Sequence, residues 1–188
     1  YSFFGDLKYP ADFKYLDYIN PDAPKGGEIS QWGFGTFDSF NAYARKGNQA
    51  SLSSVPYEAI LTGFADDVTA SYCFLCTTIE YPQSRDWAIF NLRDDVTFSD
   101  GSMLTAEDVK FTFELFMEQG LPSYRAAVSG MVDTIEVLDR LTIKFIFAED
   151  APRRDVIELA GGIPVFSKSW FERTGARLDE STLIPFIG

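Results

Sequence analysis

The sequence predicts an α+β fold, a mixed α/β arrangement in which a mixed sheet with hairpins carries flanking helices. Three observations support this prediction: apolar residues alternate from Trp87 to Leu92, an amphipathic helix with a capping signal begins at Thr105, and further alternating segments lie within residues 134–147. The strands and helices do not follow the regular order of a doubly wound parallel sheet. A mixed sheet is therefore favoured over a parallel one.

The start of the chain divides into an arm and a strand. Residues 1–27 are rich in Tyr, Asp, Pro and Gly without steady periodicity, which predicts an extended N-terminal arm. Residues 28–37 read as a strand, and Gly33 within it can mark the close approach of another backbone or of a ligand. A helix is predicted next by the helical spacing of Tyr57, Ile60, Leu61 and Phe64.

The run from residue 90 to 116 is the most informative part of the chain. Asp100-Gly101 is a strong turn signal, because Asp can hydrogen-bond within its own turn and Gly adopts positive φ without steric cost. Thr105 can then cap a helix by accepting from the amide three residues further on. The core-facing stripe of that helix is Val109, Thr112, Phe113 and Phe116. Gly120 and Pro122 supply the stop after about four turns.

Three further elements follow this helix. Residues 134–137 and 141–147 alternate around a charged break and predict a hairpin with one buried face. Pro152 begins a short helix that Gly161-Gly162 ends. Ser167 can cap another short helix that carries Trp170 and Phe171.

Composition excludes several classes of function. Apolar residues make up 46% of the chain, with 18 Phe, 9 Tyr and 3 Trp, which predicts a thick core or an aromatic-lined groove. A net charge of −12 makes nucleic acid and anionic lipid poor partners. The chain has no histidine, so the usual base of Ser or Cys triads is missing, and neither a P-loop nor a dinucleotide fingerprint is present. We expect no catalysis and no cofactor.

Cys73 and Cys76 are the only cysteines. On a strand their side chains would lie about 10 Å apart on opposite faces, whereas on a tight turn they fall within bonding range. A disulfide and a pair of free, buried thiols therefore both remain open. A zinc site would need two more ligands, neither of them histidine, and we expect no metal.

The segment around the Asp100-Gly101 turn resembles the extracellular solute-binding proteins of family 5, the oligopeptide, dipeptide and nickel receptors of bacterial ABC importers. The matching residues are Leu92, Arg93, Phe98, Ser99, Asp100, Gly101, Leu104, Thr105, Ala106, Glu107, Asp108, Val109, Phe111 and Phe113. Residues 20–27 and 37–41 further resemble the branch that imports modified or cell-wall-derived peptides. The chain departs from the family at Met103, where proline is usual, and in being several times shorter.

The resemblance implies the first lobe of a two-lobe periplasmic-binding-protein fold, class II-like. Residues 28–180 would form this lobe, with a smaller subdomain around residues 65–150, and residues 181–188 would be a truncated lead-in to the second lobe. It also implies periplasmic location with a secretory signal already removed, which would favour the disulfide. The implied partners are a peptide or peptide-like small molecule, an ABC transporter permease and the missing C-terminal lobe. The first lobe alone should bind ligand poorly, because the second lobe would supply the other half of the contacts.

Ligand-binding residues are expected in the loop that follows the first strand. The loop combines backbone access, aromatic surface and an amide, which suits an extended peptide that pairs its main chain with exposed backbone. The predicted ligand-binding residues there are Gly33, Phe34, Thr36, Phe37 and Asn41. Tyr57 and Tyr124 are further candidates, although packing is the commoner role of such residues. The alternatives are a fragment of a secreted hydrolase with catalytic residues beyond Gly188, and an interaction module without a small ligand.

Overall fold

A computed structural model covers residues 1–188 and shows two antiparallel sheets and four helices. The smaller sheet pairs β1 (Leu61–Phe64) with β2 (Asp67–Cys73). The larger sheet has the order β3-β4-β6-β5 and consists of β3 (Cys76–Glu80), β4 (Trp87–Leu92), β5 (Val132–Asp139) and β6 (Thr142–Phe147). The helices are α1 (Ala106–Gln119), α2 (Pro122–Val128), α3 (Val156–Gly161) and α4 (Lys168–Thr174). The predicted α+β class is confirmed.

The middle of the larger sheet alternates as the sequence predicts. Ala88, Phe90, Ile143 and Phe145 all have an exposed fraction of 0%, because they share the face of β4 and β6 that α1 covers. The Phe145 ring lies 5.8 Å from that of Phe90 and 5.9 Å from that of Phe113 on α1, measured between centroids. The predicted strand and hairpin are therefore confirmed as β4 and as β5–β6.

The start of α1 is confirmed at the predicted residue. Thr105 is the N-cap and forms a capping box with Asp108, in which the Thr105 amide and hydroxyl donate to one carboxylate oxygen at 2.9 and 2.7 Å. The other oxygen of Asp108 accepts from the amide of Lys168, the first residue of α4, at 2.9 Å. One buried carboxylate thus connects the first turns of two helices.

Two shorter predictions are also confirmed. Gly101 has φ +83°, and the Ser102 amide donates to Asp100 at 3.0 Å, so the turn before α1 forms with the expected side-chain bond. The Ser167 hydroxyl accepts from the Trp170 amide at 3.3 Å and caps α4.

Two predicted elements are wrong. Residues 28–37 form no strand, because no other strand of the chain lies beside them and they make no backbone hydrogen bond. The helix predicted around Tyr57 is absent, and β1 occupies part of its place. Its apparent stripe combined residues that face different cores: Ile60 and Leu61 belong to the main core, while Phe64 packs under the N-terminal residues.

The N-terminal residues lie against the smaller sheet. The carbonyl oxygen of Tyr1 accepts from the Ser71 amide at 2.8 Å. The ring of Tyr9 is buried and packs edge-on against those of Phe64 and Tyr72, with centroids 5.8 and 5.9 Å apart. These aromatic contacts form a small separate core between the N-terminal residues and the β1–β2 hairpin.

A disulfide closes the corner between the two sheets. Cys73 ends β2 and Cys76 begins β3, and the two are bonded to each other with Cα atoms 4.9 Å apart. The amides of Phe74 and Leu75 between them both donate to the carbonyl of Ile60, at 2.9 and 3.2 Å. The cysteines lie on a tight turn rather than along one strand, which is the geometry that allows the bond.

Candidate functional site

The predicted ligand-binding residues occupy three different environments. Gly33, Phe34, Thr36 and Phe37 lie on the exposed extended segment. Asn41 is buried, whereas the two tyrosines lie half-buried in one aromatic cluster. The predicted ligand-binding residues therefore do not share one environment.

The extended segment of residues 28–37, termed the open segment, exposes both its backbone and its aromatic side chains. Every residue in it is exposed, with Phe34 at 90% and Trp32 at 85%, and these two rings lie at an angle of 58° with centroids 5.9 Å apart. None of its amides or carbonyls takes part in a backbone hydrogen bond. Such a segment can accept another extended chain along its edge.

A polar hollow of about 420 Å³ lies beside the open segment. Phe34 and Thr36 line one side of it, and Lys46, Asn48 and Gln49 line the other. Hydroxyl, amide and ammonium groups at this spacing can bind a peptide main chain, which offers both donors and acceptors.

Asn41 contributes to the site as a brace. Its side chain is fully buried, the Nδ2 group donates to the carbonyls of Leu178 and Glu180 at 2.8 Å each, and Oδ1 accepts from the Tyr43 amide at 2.8 Å. Asn41 also lines the polar hollow, and its contact with a ligand stays a prediction. An Asn side chain that accepts a hydrogen bond from the amide two residues further on is a common local motif. This motif is a sequence signal that Asn41 has a structural role.

A second concave surface, termed the aromatic cavity, has a volume of about 290 Å³. It lies between the end of α1, the start of α2 and the loop before α4. Its lining residues are Ala42, Tyr43, Ala44, Phe116, Gly120, Leu121, Tyr124, Gly162, Ile163 and Pro164. Ala44 also lines the polar hollow, so the two concavities are neighbours.

The aromatic walls of this cavity connect the two predicted tyrosines. The ring of Phe116 lies 5.2 Å from Tyr43 and 5.6 Å from Tyr124, and Tyr43 lies 6.3 Å from Tyr57, measured between centroids. Tyr124 lines the cavity directly, whereas Tyr57 supports it from behind, against Phe166 at 5.1 Å. Tyr57 is therefore a packing residue of the site.

The sequence analysis did not identify Tyr43 or Phe116 as part of the site. Phe116 belongs to the stripe of α1 that was assigned entirely to the core, although the end of the helix extends beyond the sheet. The helix α2 was also missed, because Pro122 was taken only as a stop. Proline is equally common at the first position of a helix, and Pro122 occupies such a position.

Burial raises the pKa of the cavity tyrosines further above neutral pH. Loss of hydration raises the pKa of Tyr43 to about 12, with a smaller contribution from neighbouring Tyr57, and raises the pKa of Tyr124 to about 12. Both hydroxyls therefore stay protonated at neutral pH and can donate a hydrogen bond. The hydroxyl oxygen of Tyr124 is buried and has no hydrogen-bond partner within the chain.

The arrangement of these polar and aromatic side chains suits the binding of a ligand that has both polar and apolar groups. The polar hollow, the aromatic cavity and the open segment place donors, acceptors and apolar rings side by side. No group of three or more His, Cys, Asp or Glu side chains is placed to hold a metal ion. None of the four helices combines the length and the apolar character that crossing a membrane requires.

Comparison with curated proteins shows relatives along almost the whole chain. The probable peptide-binding protein YejA of Agrobacterium fabrum is 33% identical over 98% of this chain, and YejA of Escherichia coli is 32% identical over 92%. The peptidoglycan-binding protein YepA of Agrobacterium fabrum is 32% identical over 100% of it. The chain spans only 28 to 31% of the length of these relatives.

Solved structures share the fold. NikA from Brucella suis, in complex with Fe(III)-EDTA, matches 80% of this chain and 29% of its own, with a TM-score of 0.60 and 20% identity. The periplasmic binding protein DppA from Helicobacter pylori, in complex with the peptide STSA, matches 75% of this chain and 30% of its own, with a TM-score of 0.59 and 20% identity. The predicted relation to periplasmic binding proteins is confirmed at the level of the fold.

A family model decides the assignment. The model of bacterial extracellular solute-binding proteins, family 5 Middle, matches residues 80–182, which contain β4, β5, β6 and all four helices. The chain belongs to the family 5 extracellular solute-binding proteins.

Proposed function

We propose that this protein is the substrate-binding component of an ABC importer, which captures a peptide or peptide-like solute outside the cytoplasmic membrane and delivers it to the permease. Membership of family 5 supports the importer assignment. The name of the Agrobacterium relative and the peptide bound to DppA both favour a peptide over other solutes. Capture and release require no catalysis by the chain.

The observation that carries the proposal is the open segment. Ten consecutive residues, 28–37, keep all their backbone groups free of backbone hydrogen bonds and hold Trp32 and Phe34 on the surface. Free backbone groups can pair with an extended peptide whatever its sequence, and aromatic surfaces can cover its side chains. The polar hollow lies beside this edge and can receive the polar ends of the ligand.

The family resemblance supplies the rest of the proposed mechanism. Residues 28–180 act as the first lobe, with a subdomain around residues 65–150, and residues 181–188 lead into a second lobe. Closure of two lobes around the ligand would bury the open segment and create the state that a permease recognises. A ligand drives such closure only by the contacts that it makes in the closed state and not in the open one.

Thermal unfolding of the full-length gene product tests this function. A mixture of short peptides should raise the unfolding temperature, since a ligand at a hundred times its Kd stabilises the native state by about 2.7 kcal/mol. A mixture of the same free amino acids should have a smaller effect. Peptides that are recovered uncleaved distinguish a receptor from the alternative, a secreted hydrolase.

Two matched variants tie the effect to the open segment. Phe34→Ala should reduce the peptide-induced stabilisation, whereas Val68→Ala should not, although Val68 on β2 is similarly exposed, at 86%. Absence of stabilisation by any peptide, or cleavage of the peptides during incubation, would contradict the proposed function.

A further inference from the structure

We propose that the aromatic cavity is a side-chain pocket that selects peptide ligands carrying one bulky apolar residue, above all an aromatic one. The inference rests on the proposed function, because it assigns a specificity to the same site. It adds a ligand class that neither the fold nor the relatives specify.

The size of the aromatic cavity supports the binding of a single side chain. Sites for whole small ligands have volumes of about 300–1,000 Å³, and an apolar cavity of about 150 Å³ is enough to bind benzene. At about 290 Å³ the aromatic cavity is too small for a complete peptide and ample for one aromatic side chain.

The lining excludes charged side chains. None of the ten lining residues carries a charge, and the walls are formed by the rings of Tyr43, Phe116 and Tyr124 with Leu121 and Ile163. An ammonium or carboxylate placed there would lose its hydration without gaining a partner of opposite charge. An aromatic side chain instead gains apolar burial and edge-to-face contacts with these rings.

One polar group of the lining residues has no partner within the chain. The buried hydroxyl of Tyr124 has no partner, and leaving such a donor unpaired costs about 1–3 kcal/mol. This hydroxyl is protonated at neutral pH, as tyrosine ordinarily is, and a small movement of the ring would let it donate to a carbonyl oxygen next to the bound side chain. The polar hollow, which shares Ala44 with the cavity, would then hold the main chain on either side.

The segment 42–44, which forms one wall of the cavity, is held at both ends by hydrogen bonds in the absence of ligand. Asn41 fixes the start of the segment 42–44 through its three hydrogen bonds. Arg45 fixes the end, since its guanidinium donates to the carbonyl of Gln119 at 3.0 Å and pairs with Asp179 at 3.6 Å. A preformed wall loses little conformational entropy on binding, which favours selectivity for side-chain shape.

Titration calorimetry on the full-length gene product tests the inference. The probes are tri-alanine and the three tripeptides in which one alanine is replaced by phenylalanine. The best phenylalanine peptide should bind about tenfold to a hundredfold more tightly than tri-alanine, as expected for burial of one aromatic side chain. Ala42→Phe, which fills the cavity, should abolish this preference for phenylalanine.

Two more variants keep the test decisive if Ala42→Phe does not fold. Tyr124→Phe should weaken binding of the best peptide about three- to tenfold, because one hydrogen bond is lost. Ala127→Phe places the same ring on an exposed position of α2 outside the cavity and should change nothing.

The outcomes separate this inference from the function on which it rests. Equal binding of all four peptides to the wild type would overturn the side-chain pocket and leave the receptor function intact. A phenylalanine preference that survives in folded Ala42→Phe, or unchanged binding in Tyr124→Phe, would also overturn it. If no peptide binds at all, the proposed function fails and the pocket fails with it.

Discussion

Phenylalanine side chains are buried in the larger sheet but exposed in the open segment. Phe90 and Phe145 in the sheet have an exposed fraction of 0%, whereas Phe34 in the open segment is 90% exposed. Both regions were predicted as strands. The difference is that β4 and β6 pair with each other along five residue positions, while residues 28–37 have no partner strand in the chain.

This comparison shows what an alternating pattern does and does not determine. Alternation defines which face of a strand is apolar, but a strand exists only where another backbone satisfies its hydrogen bonds. In the larger sheet, β4 and β6 supply that backbone to each other and α1 covers the apolar face. In the open segment both the backbone groups and the aromatic face remain available to a partner, which is the basis of the proposed peptide binding.

The largest expected effect comes from truncating the same residue type in the two regions. Phe145→Ala should lower the free energy of unfolding by about 3–5 kcal/mol, because it leaves a cavity between the sheet and α1. Phe34→Ala should change that free energy by no more than about 0.5 kcal/mol, because its ring is already in solvent. Urea denaturation measures both, and similar losses in the two variants would contradict the comparison.

A smaller effect is expected at the buried carboxylate that supports the larger sheet. Asp108→Ala removes the acceptor for Thr105 at the start of α1 and for the Lys168 amide at the start of α4, and should cost about 2–3 kcal/mol. Asp95→Ala is the control, since its pairing with Arg93 is exposed and should contribute less than about 1 kcal/mol. Urea denaturation that ranks Asp95→Ala as the more harmful change would refute this assignment.

The disulfide should matter less, because it closes a short loop. Replacing both Cys73 and Cys76 by serine should lower the free energy of unfolding by on the order of 2 kcal/mol. Hydrogen exchange should accelerate in β1 and β2 and remain unchanged in β4, because the bond fixes the smaller sheet to the larger one. Faster exchange throughout β4 would show that the disulfide supports the whole core.

The smallest effect concerns the contact between the N-terminal residues and the β1–β2 turn. Hydrogen bonds from Lys8 and Tyr9 hold the pKa of Asp66 below its ordinary value. A lowered pKa contributes stability above the unfolded-state value, near pH 4, which is lost as the pH falls through the folded-state value.

Hydrogen exchange at matched pH values checks this prediction. The N-terminal residues should exchange faster relative to β4 when the pH is lowered from 6 to 3. In Asp66→Asn this additional acceleration should be absent. An identical response of the wild type and the variant would assign the pH dependence to other carboxylates.

Much of the fold could be predicted because its signals are local. The cap at Thr105, the turn at Gly101 and the alternation of β4 each depend on residues that lie within a few positions of one another in the sequence. The β1–β2 hairpin was missed because Leu61 and Phe64 face two different cores, and a single chain pattern does not reveal which core each side chain joins.

The candidate site could be predicted only in part. The exposure of Phe34 and the closeness of Thr36 to a hollow agree with the sequence interpretation. The buried amide of Asn41 and the cavity beside Tyr124 depend on residues 178–180 and 162–164, which are distant in sequence. Long-range contacts of this kind leave no periodic signal.

Hydrogen exchange of the open segment in the full-length gene product tests the central claim most directly. The amides of residues 28–37 should exchange rapidly without ligand, and every second one should exchange at least about tenfold more slowly with saturating peptide, because the peptide main chain accepts hydrogen bonds from alternate amides of the strand beside it. The amides of β4 should serve as the internal reference and change little. Slow exchange of residues 28–37 before peptide is added, or no change after it is added, would contradict the claim that this segment is kept open for a ligand.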